Sequence, residues 1–208
     1  MNIARLLGED GAAGPLIVAA VTSLVATALS YGLPEQYAAT GVGLWFLFVV
    51  FVLVLRRGDS ATVRRMGLSL GGLFEPEVPI EFPRVLAAGG RALAIGVLLA
   101  AVVLPPFWVG YVYWYQPRGA FTPAPWPSLQ NDVLGQLLGV AFPEEAFFRG
   151  YLQSSLDTAW PPGRRLFGAP VGRSIWVTSA IFAVGHLLTE PYPGRLAVFF
   201  PSLLFGFL

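Results

Sequence analysis

The amino-acid sequence predicts an all-α, polytopic transmembrane helical bundle, and three observations predict it. Of 208 residues, 55% are hydrophobic and only 12% are charged, where a soluble domain carries about 25% charged residues. Mean hydropathy is +0.65. Apolar runs of near-spanning length recur along the chain, parted by short segments that hold most of the arginines. A span needs about 20 mostly apolar residues. By that measure the chain offers about five complete spans and a truncated sixth, in a single integral membrane domain, 1–208.

The first span is expected from Ala12 to Tyr31. Arg5, Glu9 and Asp10 precede a long apolar run, which suits a retained span better than a cleaved signal. The second runs from Ala39 to Leu55 and stops at Arg56-Arg57. A polar stretch from Arg56 to Arg91 follows, in which Pro76, Pro79 and Pro83 are expected to break any long helix. Its Leu68–Phe74 portion suits the membrane interface. The third span is expected from Ala92 to Tyr113, kinked at Pro105-Pro106 and ending in an aromatic belt of Trp108, Tyr111, Tyr113, Trp114 and Tyr115. A Pro-rich loop covers Gln116 to Gln130. The fourth span begins near Asn131, and its helix runs past Arg149 toward Ala159, where Trp160-Pro161-Pro162-Gly163 stops it. The fifth runs from Ser174 to Leu188. The sixth starts after Arg195 and reaches Leu208 after about 13 apolar residues.

Arginine placement gives the expected orientation. With the N-terminus inside, the inner segments hold Arg5, Arg56, Arg57, Arg64, Arg65, Arg84, Arg91, Arg149, Arg164, Arg165 and Arg173, and the outer loops hold Arg118 and Arg195. That is a strong positive-inside bias. A bacterial inner membrane with a cytoplasmic N-terminus is the expected location. The net charge of +1 gives no basic surface for nucleic acid. The absence of cysteine excludes disulfides, thiolate catalysis and Cys-based zinc sites.

The chemistry-bearing residues lie inside the apolar runs. Pro143-Glu144-Glu145-Ala146-Phe147-Phe148-Arg149 places two carboxylates and a guanidinium in the fourth span, and Phe182-Ala183-Val184-Gly185-His186 places the only histidine in the fifth. An ionised group at the bilayer centre costs roughly 2.5–3.5 kcal/mol even on lenient scales. Glu145 and Arg149 are four apart and share a helix face, so they are expected to pair. Glu144 is turned about 100° away and stays free to act as a base toward water. His186 shares a face with Phe182, Ser179 and Ile175. A carboxylate and an imidazole on neighbouring spans would hold and polarise one water. Alternatives to this chemistry are charges that only neutralise one another, a proton-relay or proton-coupled transport role, and a non-catalytic immunity or scaffold protein. A zinc site is conceivable only if Glu144, Glu145 and His186 all turn inward, because zinc takes at least three protein ligands; no cofactor is the favoured reading. Gln136, Thr178 and Ser179 read as helix-packing contacts.

The motif region, 131–208, resembles the CPBP intramembrane proteases, the CAAX prenyl endopeptidases of the Rce1 type, also called the Abi family. Glu144-Glu145-x-x-x-Arg149 is similar to the family's first motif and Phe182-x-x-x-His186 to its second, with the Pro before the glutamates and Gly-Tyr-Leu-Gln after the arginine also in place. The resemblance implies a membrane-embedded endopeptidase acting on membrane-associated or C-terminally tagged protein substrates. It implies that Glu144 and His186 activate water and that Glu145, Arg149 and Phe182 support them. The family carries a further histidine motif, His-x-x-x-Asn or His-x-x-x-Asp, on a later span, implied to help form the oxyanion hole. The sequence reaches Leu208 before such a motif, so a truncated version of a longer protein, or a degenerate member, is the expectation.

Overall fold

A computed structural model describes residues 3–119, 125–166 and 169–207. Among the described residues eight helices follow one another: α1 (Ile3–Leu6), α2 (Ala13–Gly32), α3 (Glu35–Leu55), α4 (Ser60–Arg65), α5 (Phe82–Tyr115), α6 (126–159), α7 (Arg173–Thr189) and α8 (Phe199–Phe207). Between α6 and α7 lies a small hairpin of β1 (Arg164–Leu166) and β2 (Ala169–Val171), antiparallel, with Arg165 opposite Pro170. The fold is an all-α bundle. Among the described residues, α2, α3 and α5 are long and apolar enough to cross a membrane. The motif helix α6 is interrupted by polar residues, and α7, at 17 residues, meets the lower limit of a spanning length.

α2, α3, α6 and α7 make the core. α2 buries Pro15, Ala19, Thr22, Ser23 and Ala26, a stripe at helical spacing. α7 buries Ile175, Ser179 and Phe182, the face that the sequence assigns to His186. Polar ties cross the interfaces. Trp45 Nε1 donates to the Thr22 carbonyl at 3.0 Å, the Tyr31 hydroxyl to the Leu188 carbonyl at 3.1 Å, and the Tyr151 hydroxyl to the Leu6 carbonyl at 2.7 Å.

Three expectations about boundaries need correction. The third helix starts at Phe82, not Ala92, and Pro83 does not break it. Pro83 sits in the first turn, where its missing N–H has no helical partner to lose. The helix also runs through Pro105-Pro106. None of its residues is buried; it meets the body through Gly71, whose φ of 74° lets the chain pass close to the Arg84 carbonyl and Ala88. The fourth helix starts inside the expected loop, at Trp126, again with a proline (Pro127) in its first turn. Residues 120–124 of that loop lie outside the described residues. The sixth segment opens as a 3₁₀ turn, Pro193–Val198, before α8. The sequence reading did not anticipate the β-hairpin.

The interfacial segment after α4 acts as a wedge. Asp59 caps α4 by accepting from the Thr62 N–H at 2.8 Å, and that bond holds its carboxyl below the usual range. Buried Glu75 accepts from Ser69 at 2.7 Å and faces Arg64 at 3.6 Å. Leu68 then reaches the motif helix at Gly150, where an added Cβ would meet Leu68 Cδ2 at 2.8 Å.

Candidate active site

The motif helix is not a regular α-helix where the carboxylates sit. Leu137–Ala141 is π-helical, Phe142–Glu145 is α-helical, and Ala146–Gln153 is π-helical again. π-Helical turns arise where the i→i−4 ladder is interrupted, and they gather at functional sites. The interruption has a cause in the sequence: Pro143 has no N–H to give to the Gly139 carbonyl. On that carbonyl α3 closes tightly. A Cβ on Gly43 would lie 2.0 Å from Gly139 O and 3.3 Å from Pro143 Cγ, so only glycine fits. Gly43, which lines the Glu144 cavity, thus closes on the motif helix at Gly139, about one turn before Glu144.

Glu144 and His186 face one cavity of about 390 Å³, which α2, α3, α6 and α7 enclose. Ser23, Gln136, Thr189 and Arg195 add polar groups to its lining, and Phe46, Phe148 and Phe182 form an aromatic wall. The tautomer of His186 follows from geometry. Its Nδ1 lies 3.0 Å from the Phe182 carbonyl oxygen, which can only accept, so Nδ1 carries the proton and Nε2 is left as an acceptor. The ring also packs in a tilted contact on an aromatic neighbour. Phe182 packs on it at 4.4 Å between centroids, and Phe148 meets Phe182 at 5.0 Å in a T-shaped contact. Phe148 and Phe147 in turn pack on Phe46 at 5.4 and 5.1 Å, so one aromatic chain ties α3, α6 and α7 together behind the imidazole.

Glu145 turns the other way. It and Arg149 line a separate, larger cavity of about 910 Å³, beside Leu68, Gln153 and Asp157. Glu145 Oε2 lies 3.3 Å from Arg149 Nε, the pairing that the four-residue spacing predicts. Arg149 has further partners that the sequence reading missed. Its Nη2 donates to the Ser202 carbonyl at 3.1 Å and to the Ser202 hydroxyl at 3.0 Å, and its guanidinium lies 5.0 Å over the Phe182 ring. One helical turn further, Gln153 Nε2 donates to the Gly206 carbonyl at 2.7 Å. Two adjacent carboxylates therefore stand on the walls of different cavities.

That separation bears on zinc. Glu144, Glu145 and His186 do not converge, and among the described residues no three His, Cys, Asp or Glu side chains gather closely enough to hold a metal ion. The donor set that the zinc alternative needs is not assembled by these residues. Gln136, expected as a packing contact, lines the Glu144 cavity instead. Thr178 and Ser179 are buried on the packing face of α7, as the sequence reading has it.

Long apolar helices define the class, a helical integral membrane protein, and its bundle holds a cavity lined by a carboxylate and an imidazole. Residues 126–208 match the model of the family described as Type II CAAX prenyl endopeptidase Rce1-like. The match opens on the first residue of α6 and takes in both motif helices, so this part of the chain is similar to that protease family. No curated protein and no solved structure matches the chain.

Proposed function

We propose that the protein is an intramembrane endopeptidase that hydrolyses peptide bonds of membrane-associated protein substrates with a water activated by Glu144. The observation that carries this reading is the shared cavity: Glu144 from α6 and His186 from α7 line the same 390 Å³ space, while Glu145 is engaged elsewhere by Arg149.

In this reading a water sits between the two side chains. It donates one hydrogen bond to a Glu144 oxygen and the other to the free Nε2 of neutral His186, which aims its lone pair at the scissile carbonyl carbon. As the water oxygen attacks, its proton passes to Glu144, and the carbonyl oxygen becomes the oxyanion of a tetrahedral intermediate. When the C–N bond breaks, Glu144 returns the proton to the departing amine. One group thus serves as base and then as acid, and Glu144 ends the cycle as the carboxylate it began as. Glu145–Arg149 is a structural pair, not part of proton transfer. The aromatic wall packs on the His186 ring and fixes it.

The test is hydrolysis by the full chain reconstituted in lipid vesicles, with a library of apolar peptides and mass-spectrometric detection of new termini. Cleavage that disappears in Glu144→Gln and in His186→Gln, at unchanged protein level and thermal unfolding, supports the reading. Cleavage that persists in Glu144→Gln rejects it. A chain that folds and cleaves nothing in any form would favour the non-catalytic scaffold reading.

A further inference from the structure

The two cavities lie toward opposite ends of the bundle, and contacts between helices fix which ends are which. At one end the Tyr31 hydroxyl, late in α2, donates to the Leu188 carbonyl, late in α7. There too Gly43, in the first half of α3, closes on Gly139, in the first half of α6. At the other end Tyr151, late in α6, bonds Leu6 ahead of α2, and Leu68, after α3, reaches Gly150. The Glu144–His186 cavity is lined from the first end, by Ser30, Ala39, Gln136 and Thr189 of the four core helices. The larger cavity, on which Glu145 and Arg149 stand, is lined from the second, by Leu55, Arg65, Asp157 and Pro170.

The smaller cavity has a rim and a floor. Ala39 and Gln136 are exposed, whereas Phe46, Phe148 and Phe182, which also line it, are buried. The Phe182 ring touches His186 at 4.4 Å between centroids and the Arg149 guanidinium at 5.0 Å, so a single ring stands between the two cavities. A peptide arriving from the second end therefore meets the Glu145–Arg149 pair, not Glu144. Arginine marks the two ends differently. Arg56-Arg57 and Arg64-Arg65 follow α3, and Arg164-Arg165 follow α6, all at the end of the larger cavity. In the loops of the Glu144 end stand Arg118 and Arg195. Arginine-rich ends stay in the cytoplasm.

We infer that the Glu144–His186 cavity is entered from the extracytoplasmic face of the membrane, so that its substrates are extended segments presented on that face. Gln136 at the rim precedes Glu144 by eight residues, about 12 Å along a helix. An extended chain spans that depth in about four residues. Folded extracytoplasmic domains are thereby excluded, and flexible stretches next to the membrane are admitted. The peptide nature of the substrate rests on the protease reading; the side of entry does not.

The chain has no cysteine, so single introduced thiols can be read without background. Val140→Cys puts one in the cavity four residues before Glu144, Gln136→Cys one nearer the rim, and Arg165→Cys one in the hairpin at the opposite end. Each variant, checked for folding by thermal unfolding, is treated with a sulfonated, membrane-impermeant maleimide in sealed membrane vesicles of known sidedness. Gln136→Cys carries the test if Val140→Cys does not fold. The cavity thiols are expected to react from the extracytoplasmic side roughly tenfold faster or more, and the Arg165→Cys thiol from the cytoplasmic side, because a fixed charge crosses the bilayer only at ionic cost. Cavity thiols that react from the cytoplasmic side, from both sides alike or from neither would overturn the inference, as would an Arg165→Cys thiol that reacts from the extracytoplasmic side. Labelling needs no turnover, so the two readings separate. The expected labelling in a chain that hydrolyses nothing would sink the protease reading and leave the side of entry. Hydrolysis confined to impermeant peptides on the cytoplasmic side would sink the side of entry and leave the protease reading.

Discussion

Arg149 and Ser202 are joined twice: one terminal guanidinium nitrogen donates to the serine's carbonyl oxygen at 3.1 Å and to its hydroxyl at 3.0 Å. Gln153 repeats the connection four residues on, by donating to Gly206 at 2.7 Å. Two helices thus meet through matched i, i+4 pairs, and the arginine that balances Glu145 also docks α8. Ser202→Ala removes the hydroxyl bond and leaves the carbonyl bond, so a loss of about 1 kcal/mol is expected. Arg149→Met removes both bonds and the contact with Phe182, and is expected to cost several times as much. Thermal unfolding in detergent micelles checks the order; equal losses would show that the docking is not centred on the guanidinium.

The two glutamates are expected to separate. Glu145→Gln should lower stability by about 1–2 kcal/mol rather than abolish folding, because Arg149 keeps Ser202 and the Phe182 ring as partners. Its folded fraction should still hydrolyse substrate. Glu144→Gln should leave unfolding unchanged and remove hydrolysis. If both variants lose folding and activity to the same degree, the division of roles fails.

Gly43 offers a test of the wall beside Glu144. Gly43→Ala drives a methyl toward backbone, the Gly139 carbonyl at 2.0 Å, so the helices must part. Overpacking of this kind costs about 1–3 kcal/mol. Gly41→Ala is the control, since its methyl meets only the end of the Leu33 side chain, which can rotate away. The expected result is a lower unfolding temperature and lower specific activity for Gly43→Ala, and near wild-type behaviour for Gly41→Ala.

Tyr151 ties the motif helix to the N-terminal turn. Tyr151→Phe leaves the Leu6 carbonyl without its 2.7 Å donor and should cost about 1–2 kcal/mol. Proteolytic sensitivity of the first residues should rise with it. Unchanged stability and unchanged sensitivity would place the tie outside the energetics of folding.

Local pattern made much of this legible. Composition and arginine placement are enough for an all-α membrane bundle, and four-residue spacing is enough for the Glu145–Arg149 pair and for the buried face of α7. The helix starts were misplaced where prolines were read as breakers, although at Phe82-Pro83 and Trp126-Pro127 they open helices. The rest depends on contacts that no local pattern encodes. Ser202 lies 53 residues from Arg149. The closure of Gly43 on the carbonyl that Pro143 cannot bond needs both helices in place.

The central claim, that Glu144 delivers a water to a peptide bond, is tested most directly by the isotope of the oxygen it delivers. The full chain in vesicles is incubated with cleavable peptides in water enriched in oxygen-18, and the new C-terminal carboxylates are weighed. Incorporation of one solvent oxygen per cleavage in wild type, with no such product in Glu144→Gln at equal folded protein, is the expected result. Labelled product formed at the wild-type rate by Glu144→Gln would contradict it.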